Sequence, residues 1–316
     1  MEQHIPLNQL RVNDEVQGFY LLKSAYAKTN KNGKPFLSAV LEDAGGSMDA
    51  KLWEYDNSTV SEQDAGRIVY VTGTVTEFMG ALQLRINALR LRRPEEAVDL
   101  TALTPSAPID ADAVLARVWQ LVESMEDDDY RAIATMMLQR REQDFRSIPA
   151  AKSVHHGFVG GLLMHTANML EQADFLSRLY GPTINRSLLL AGTLLHDFGK
   201  MKEFSFSELG LVTEYSTEGQ LLGHLVIGAE WVAAAARKLG IPEEKSLLLR
   251  HLILSHHGEP EFGAAVVPVC MESELLHLID KIDSRVEIYR KAFEEVPVGA
   301  FSSRIFALEH RVYHHP

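Results

Sequence analysis

Hydrophobic and polar positions change their spacing near residue 95, and this change divides the chain into two parts. In the first part, short apolar runs alternate with polar residues and end at turn-forming glycine and asparagine, which is typical of β-strands. Five short strands in a segment of this length predict a small barrel of the OB-fold type, although a β-sandwich has the same pattern. The predicted strands cover residues 16–23, 36–43, 48–53, 68–76 and 81–86.

The second part has the spacing of helices. Asp110 and Asp127 stand where a carboxylate can cap a helix N-terminus. Further apolar-periodic segments cover 158–180, 185–198, 221–239, 243–256 and 271–295. A stretch rich in proline and small residues separates the two patterns and predicts a linker. We therefore predict a two-domain chain, with an all-β OB-fold barrel over 1–95, a linker over 96–109 and an all-α bundle over 110–316.

Composition sets wide bounds. A hydrophobic content of 46% is ordinary for a globular protein, and a length of 316 residues favours two domains. The net charge of −12 argues against tight non-specific duplex binding, but it leaves a nucleic-acid substrate open. Cys270 is the single cysteine, so an intrachain disulfide and a thiolate metal cage are excluded. With no signal-like N-terminus and no apolar run long enough for a membrane span, we expect a cytoplasmic protein.

Histidine and aspartate recur through the helical part in an order that indicates metal binding. A carboxylate directly after the apolar run 187–195 would be costly to bury unless it is paired or metal-bound. Any single histidine could be an ordinary hydrogen-bonded residue, but imidazole and carboxylate together suit first-row metals. Two such metals can activate a water and stabilise an in-line displacement at phosphorus, so the set predicts a phosphohydrolase. The set comprises His165, His196, Asp197, His224, His256, His257 and Asp280.

These residues resemble the HD-domain metal-dependent phosphohydrolases, whose ligands follow the order His, His-Asp, His, His-His, Asp. The flanking sequences narrow the resemblance to the YhaM-type 3′→5′ exoribonucleases, which also carry an N-terminal OB-fold. The matching stretches are 155–166, 196–200, 218–224, 256–263 and 280–283, with 33–37 and 51–53 in the barrel. The resemblance implies hydrolysis of single-stranded RNA to nucleoside 5′-monophosphates, with single-stranded DNA left open.

Two other functions are compatible with parts of this pattern. An HD-domain hydrolase of small nucleotides or cyclic dinucleotides would use the same metals, and it is the alternative enzyme. A nucleic-acid-binding adaptor with a vestigial metal core is disfavoured, because no expected ligand is missing from the sequence.

The family resemblance also implies two divalent ions and roles for individual residues. Manganese is the implied metal, while the ligand types alone would also admit iron, cobalt or zinc. Asp197 would bridge the ions, and Lys200 would contact a phosphate oxygen and stabilise charge in the transition state, where the alternative is a solvated lysine. The first ion would be held by His165, His196, Asp197 and Asp280, and the second by His224, His256 and His257.

Candidate substrate contacts lie in both parts of the chain. His155 and His156 precede His165 and would face the substrate or support the ligands. In the barrel, aromatic side chains could stack on bases or fill the core, and we expect about two of seven to stack. We favour Trp53 with Lys51, and Lys34 in the first hairpin turn is a candidate phosphate contact. The seven aromatic residues are Phe19, Tyr20, Phe36, Trp53, Tyr55, Tyr70 and Phe78.

Overall fold

The computed structural model describes residues 4–53, 55–56, 60–104, 107–150, 158–206 and 210–316. It consists of two compact units. The first comprises Met1–Ser106 with Phe206–Thr213, and the second comprises Ala107–Ser205 with Glu214–Pro316. The division after residue 106 falls inside the stretch predicted as a linker, and the domain ends proposed from the sequence stay a prediction. In the described part of the chain, no helix combines the length and the apolar character needed to cross a membrane.

The first unit is built on a closed five-stranded barrel. Its strands follow the order β1-β2-β3-β5-β4, and β1 pairs with β4 to close it. Neighbouring strands are antiparallel except for β3 and β5, which are parallel. The OB-fold prediction is therefore confirmed, and closure of the barrel rules out the sandwich. The strands are β1 Glu15–Thr29, β2 Pro35–Asp43, β3 Gly46–Trp53, β4 Ile68–Phe78 and β5 Ala81–Leu91.

Alternation along the strands builds the barrel core. Every second residue of β2 from Leu37 to Asp43 is buried. Strand β1 is longer than predicted. Its first half pairs with β4 and its second half pairs with β2, with a register shift between Leu22 and Ser24. The turn between β4 and β5 uses Met79 and Gly80, both with positive φ, as a tight hairpin requires.

Helices dominate the second unit. The carboxylates of Asp110 and Asp127 each accept hydrogen bonds from two backbone amides at the start of a helix, so both predicted caps are confirmed. A small two-stranded sheet of β6 (Phe204–Phe206) and β7 (Val212–Tyr215) was not predicted. The helices are α1 Leu100–Leu103, which belongs to the first unit, then α2 Ala111–Glu123, α3 Asp128–Ser147, α4 Gly161–Tyr180, α5 Arg186–Leu195, α6 Lys200–Glu203, α7 Thr217–Leu239, α8 Glu243–Ser255 and α9 Met271–Glu295.

Helix α5 is the centre of the second unit. It is buried from Ser187 to Leu195 and packs against α3, α4, α8 and α9. A helix that is apolar on all sides is stable only when it is surrounded in this way. Gly192 faces Leu252 of α8, and the space for a Cβ there is taken by the leucine side chain. The end of α5 therefore brings His196 to the middle of the helical unit.

Candidate metal centre

Asp197 lies at the centre of a buried cluster of imidazoles and carboxylates. Its Oδ2 lies 3.3 Å from His196 Nε2 and 3.9 Å from His165 Nε2. Its Oδ1 lies 3.6 Å from His224 Nε2 and 3.7 Å from His256 Nε2. The two oxygens of one carboxylate thus face different histidines, which is the geometry that a bridging ligand requires.

All seven residues that the sequence singled out as ligands come together in this cluster. They form groups of three whose donor atoms lie within 4.8 Å of one another. One group contains Asp280 of α9 and another contains the doublet after α8. The third shares His196 with the first and His256 with the second, and it adds Asp197. The groups are His165, His196 and Asp280, then His224, His256 and His257, then His196, Asp197 and His256.

In His196 and His256, the ring nitrogen that points away from Asp197 is already occupied. Nδ1 of His196 donates to the carbonyl of Thr193, and Nδ1 of His256 donates to the carbonyl of Ile253, each at 2.8 Å. A carbonyl oxygen only accepts, so each Nδ1 carries the ring proton when the imidazole is neutral. Nε2 of both rings then keeps a free lone pair directed at Asp197, which is the form that a metal ligand needs.

Two buried carboxylates support two other histidines. Asp283 Oδ2 lies 2.7 Å from His165 Nδ1, and Glu203 Oε1 lies 3.0 Å from His224 Nδ1. The sequence analysis assigned no role to either acid. Asp283 follows Asp280 by three residues on α9, so their shared helix face could have indicated it. Glu203 offers no comparable sequence signal.

The carboxylates of the cluster are ionised despite their burial. Burial raises the pKa of Asp197, but the charge of Lys200 holds it well below its usual range. Burial lowers the pKa of Lys200, yet its ammonium lies 2.7 Å from Asp197 Oδ2, and this contact raises the pKa above its usual value. Burial lowers the pKa of His256 and His257, which favours the neutral imidazole that binds metals.

Among the residues that the structure describes, several buried donor atoms of the cluster have no hydrogen-bond partner. A buried polar atom without a partner costs free energy, so it usually marks a missing ligand, ion or water. Each of these atoms can offer a lone pair, and the set of nitrogen and oxygen donors suits a divalent cation. The cluster therefore fits a metal site. The atoms are His196 Nε2, Asp197 Oδ1, His224 Nε2 and His257 Nδ1.

Two glycines allow His224 to approach the cluster. Gly223 interrupts α7 with φ 70° and ψ 161°, a conformation that other residues rarely adopt. Gly199 packs against the backbone carbonyl of His224 so closely that a Cβ would overlap it. The kink and the contact together bring His224 beside Asp197, although they are 27 residues apart in the chain.

The cluster opens into a cavity of about 630 Å³. Lys200 lines this cavity with a side chain that is only 13% exposed. His277, one helix turn before Asp280 on α9, lines it too, and its Nδ1 donates to the carbonyl of His256 at 3.0 Å. The predicted substrate contacts His155 and His156 lie outside the described residues.

Comparison with known proteins identifies the family. The family model of the HD domain matches residues 162–285, and the family model of the OB-fold nucleic acid binding domain matches residues 16–92. The chain is 37% identical over 306 residues to the 3′-5′ exoribonuclease YhaM of Oceanobacillus iheyensis, covering 96% of this chain and 95% of the relative. It is 37% identical over 310 residues to YhaM of Listeria welshimeri, covering 98% of each. It is 38% identical over 306 residues to YhaM of Shouchella clausii, covering 97% of this chain and 95% of the relative.

The chain belongs to the YhaM exoribonuclease family. All seven residues of the buried cluster lie inside the segment that matches the HD domain.

In this YhaM-family chain, the outer face of the barrel carries the favoured pair Trp53 and Lys51. The register places Phe36 opposite Trp53, with ring centroids 4.9 Å apart, and Ser38 opposite Lys51. Trp53 is 45% exposed, and Lys51 Nζ bonds to Ser38 Oγ at 2.5 Å. Tyr26 lies across from Ser38 on β1 and is 55% exposed, and the sequence analysis missed it.

The remaining barrel candidates fall into different environments. Tyr20 and Tyr55 are 1% and 5% exposed, so they belong to the core and are not available for stacking. Phe78 is exposed near the β4–β5 turn, where it pairs with Ala81 and not with a residue of β3. Lys34 is exposed between β1 and β2. Arg85 lies beside Lys51 in the β3–β5 register and is exposed, and it is a second residue that the sequence analysis missed.

Proposed function

We propose that this chain is a metal-dependent phosphodiesterase that removes nucleotides from the 3′ end of single-stranded RNA and releases nucleoside 5′-monophosphates. The observation that carries the proposal is the Asp197 carboxylate, whose two oxygens face different histidines, while Nε2 of His196 and Nε2 of His224 have no hydrogen-bond partner among the described residues. Membership of the YhaM family supports the direction of attack and the choice of RNA.

The cluster would hold two divalent cations, with manganese favoured by the family resemblance. When bound, they would lower the pKa of the attacking water and withdraw charge from phosphorus. Asp197 would bridge the two sites, so its removal would empty both. One site would use His165, His196, Asp197 and Asp280, and the other His224, His256 and His257.

Lys200 is the catalytic residue that we assign beside the metals. Its ammonium is nearly buried, lies 2.7 Å from Asp197 and lines the cavity. A phosphate that enters beside Asp197 would meet this charge in a low-dielectric setting, where a fixed cation stabilises the transition state most strongly. The raised pKa keeps Lys200 protonated, so it acts as a charge and not as a base.

The barrel would guide the single strand. Its outer face combines exposed rings with cations, the combination that binds bases by stacking and phosphates by charge. Trp53 with Lys51 remains the favoured contact, and Lys34 would extend it from the adjoining turn. Whether DNA is also accepted depends on contacts with the 2′-hydroxyl, so the test includes single-stranded RNA and single-stranded DNA. The face comprises Tyr26, Lys28, Phe36, Lys51, Trp53 and Arg85.

The test uses the full chain with Mn²⁺ and single-stranded RNA or DNA labelled at either end. A 3′→5′ exonuclease shortens the 5′-labelled strand stepwise, while the 3′ label leaves at once as a mononucleotide. Asp197→Asn should lose both ions in metal analysis and lose cleavage, while its circular dichroism stays that of the folded chain. Cleavage by Asp197→Asn at the normal rate would refute the site. Hydrolysis of cyclic dinucleotides without stepwise loss from RNA would favour the alternative enzyme.

A further inference from the structure

One face of α9 lines the cavity well beyond the metal cluster. The lining residues His277, Asp280, Lys281, Ser284 and Arg285 follow the spacing of a single helix face. Asp280 belongs to the cluster, and a rise of about 1.5 Å per residue puts Arg285 roughly 7.5 Å farther along the axis. The cavity therefore continues along the helix from the candidate ligands to a pair of cations.

These two cations lie at the protein surface. Lys281 and Arg285 are exposed, and neither has an acidic partner among the described residues. Arg290 on the same helix shows the contrast, since it bonds to both Glu287 and Glu294. In a chain with a net charge of −12, two cations without a partner in the described part of the chain leave a local positive charge at this cavity.

The acids that share the cavity do not cancel this charge. Asp197 faces Lys200, Asp280 contacts His165, and Glu203 bonds to His224. Each carboxylate is turned toward the cluster by its own partner. The cavity is therefore anionic at the metal cluster, where cations would bind, and cationic along α9 at Lys281 and Arg285, where anions would bind.

We propose that Lys281 and Arg285 bind the phosphates next to the scissile one on its 5′ side and so select an RNA strand over a mononucleotide. This inference rests on the proposed exonuclease function. Arginine binds phosphate through two parallel hydrogen bonds, and lysine contributes a compact charge. Their positions one helix turn apart suit successive phosphates of a single strand that leaves the metal cluster along α9.

The experiment compares wild type, the double variant Lys281→Ala/Arg285→Ala and the control Lys291→Ala in the full chain. Lys291 is also an exposed cation of α9, but it does not line this cavity. The kinetic readout is the ratio of kcat/KM for single-stranded RNA to kcat/KM for bis(p-nitrophenyl) phosphate. This ratio should be lower in the double variant than in wild type by roughly tenfold or more, because each lost contact is a charged hydrogen bond. Lys291→Ala should match wild type in this ratio.

Binding gives a second readout that needs no turnover. Fluorescence anisotropy of labelled single-stranded RNA in chelator, across a series of salt concentrations, counts the phosphates that are neutralised. The slope of log affinity against log salt should fall by about 1.4 in the double variant, since each contact with a single strand contributes about 0.7. A wild-type slope and a wild-type kcat/KM ratio in the double variant would overturn the proposal.

Uncharged linkages locate the phosphates that are bound. Methylphosphonates at the second and third linkages from the 3′ end should raise KM for wild type but leave KM of the double variant nearly unchanged. An equal rise for both proteins counts against the assignment. If wild type cleaves no RNA at all, the exonuclease function fails, whereas the salt slope in chelator still reports on the two cations.

Discussion

The carboxylate of Glu203 contacts both the ring and the backbone of His224. Glu203 Oε1 lies 3.0 Å from His224 Nδ1 and 3.0 Å from the His224 amide nitrogen. Burial raises the pKa of Glu203, but the bonds from His224 lower it below its usual value, so the carboxylate stays ionised. One buried side chain thus sets the ring orientation and the backbone position of a candidate metal ligand.

Loss of the contact between Glu203 and His224 should weaken metal binding while the chain stays folded. We expect Glu203→Gln to lower the affinity for the metal by roughly 10- to 100-fold, because the amide no longer holds the imidazole with a charged acceptor. Competition with a chromogenic chelator measures this affinity. Glu230→Gln, an exposed change on α7, is the matched control and should bind like wild type. Unchanged affinity in Glu203→Gln would show that Glu203 does not position the ligand.

Lys200 should affect turnover without affecting metal content. We expect Lys200→Ala to lower kcat about 10²- to 10³-fold, the usual effect of removing a fixed donor from developing charge. Metal analysis of the same sample should still find the wild-type number of ions. Lys202→Ala is the control, because Lys202 is half exposed and pairs with Glu218 on the surface. Loss of metal in Lys200→Ala would instead make the lysine a structural partner of Asp197.

Trp53 should contribute to RNA affinity through stacking. A stacked base contributes about 1–3 kcal/mol, so Trp53→Ala should weaken binding of single-stranded RNA by roughly 5- to 150-fold. Anisotropy in chelator measures this without cleavage. Phe78→Ala is the control, since Phe78 is 62% exposed but lies near the β4–β5 turn. Equal effects of the two substitutions would show that the outer barrel face that carries Trp53 is not the contact surface.

Asp127 should make stability depend on acid pH. It caps α3 and lies 2.7 Å from Lys245 Nζ. Burial raises its pKa, but Lys245 and the backbone amides lower it below its usual value. Its stabilisation is therefore complete above the unfolded-state pKa of about 3.9 and is lost as the pH falls through the lower folded-state pKa.

Urea unfolding checks this dependence. We expect Asp127→Ala to lower the free energy of unfolding by about 1 kcal/mol at pH 7, as the loss of a helix cap does, and by less below pH 4. Asp128→Ala, at a side chain that is 85% exposed, should change it by no more than about 0.5 kcal/mol. A difference for Asp127→Ala that grows in acid contradicts the assigned sign.

The candidate ligands could be predicted from the sequence because their surroundings made them unusual. His196 and Asp197 follow an apolar run, and a charged group there is costly without a partner. Glu203 could not be predicted in this way, since an acid at the end of a short helix is ordinary. Its partner His224 comes 21 residues later, and only the fold brings the two together.

The barrel shows a similar division. Alternation predicted the strands, because each buries one face, but it could not tell which aromatic residues lie outside. Tyr20 and Trp53 both stand on predicted strands, yet the tyrosine lies in the core and the tryptophan is exposed. The sheet of β6 and β7 was missed because strands of three and four residues are too short to show a period.

Gly223 carries a consequence for how relatives of this chain are judged. A homologue with alanine at this position would retain every donor atom that a motif search counts. Its backbone, however, would resist the turn that delivers the histidine next to it, so one ion would have an incomplete shell. A relative can therefore carry all seven candidate ligands and still be inactive, and the residue that reveals this is the glycine at position 223.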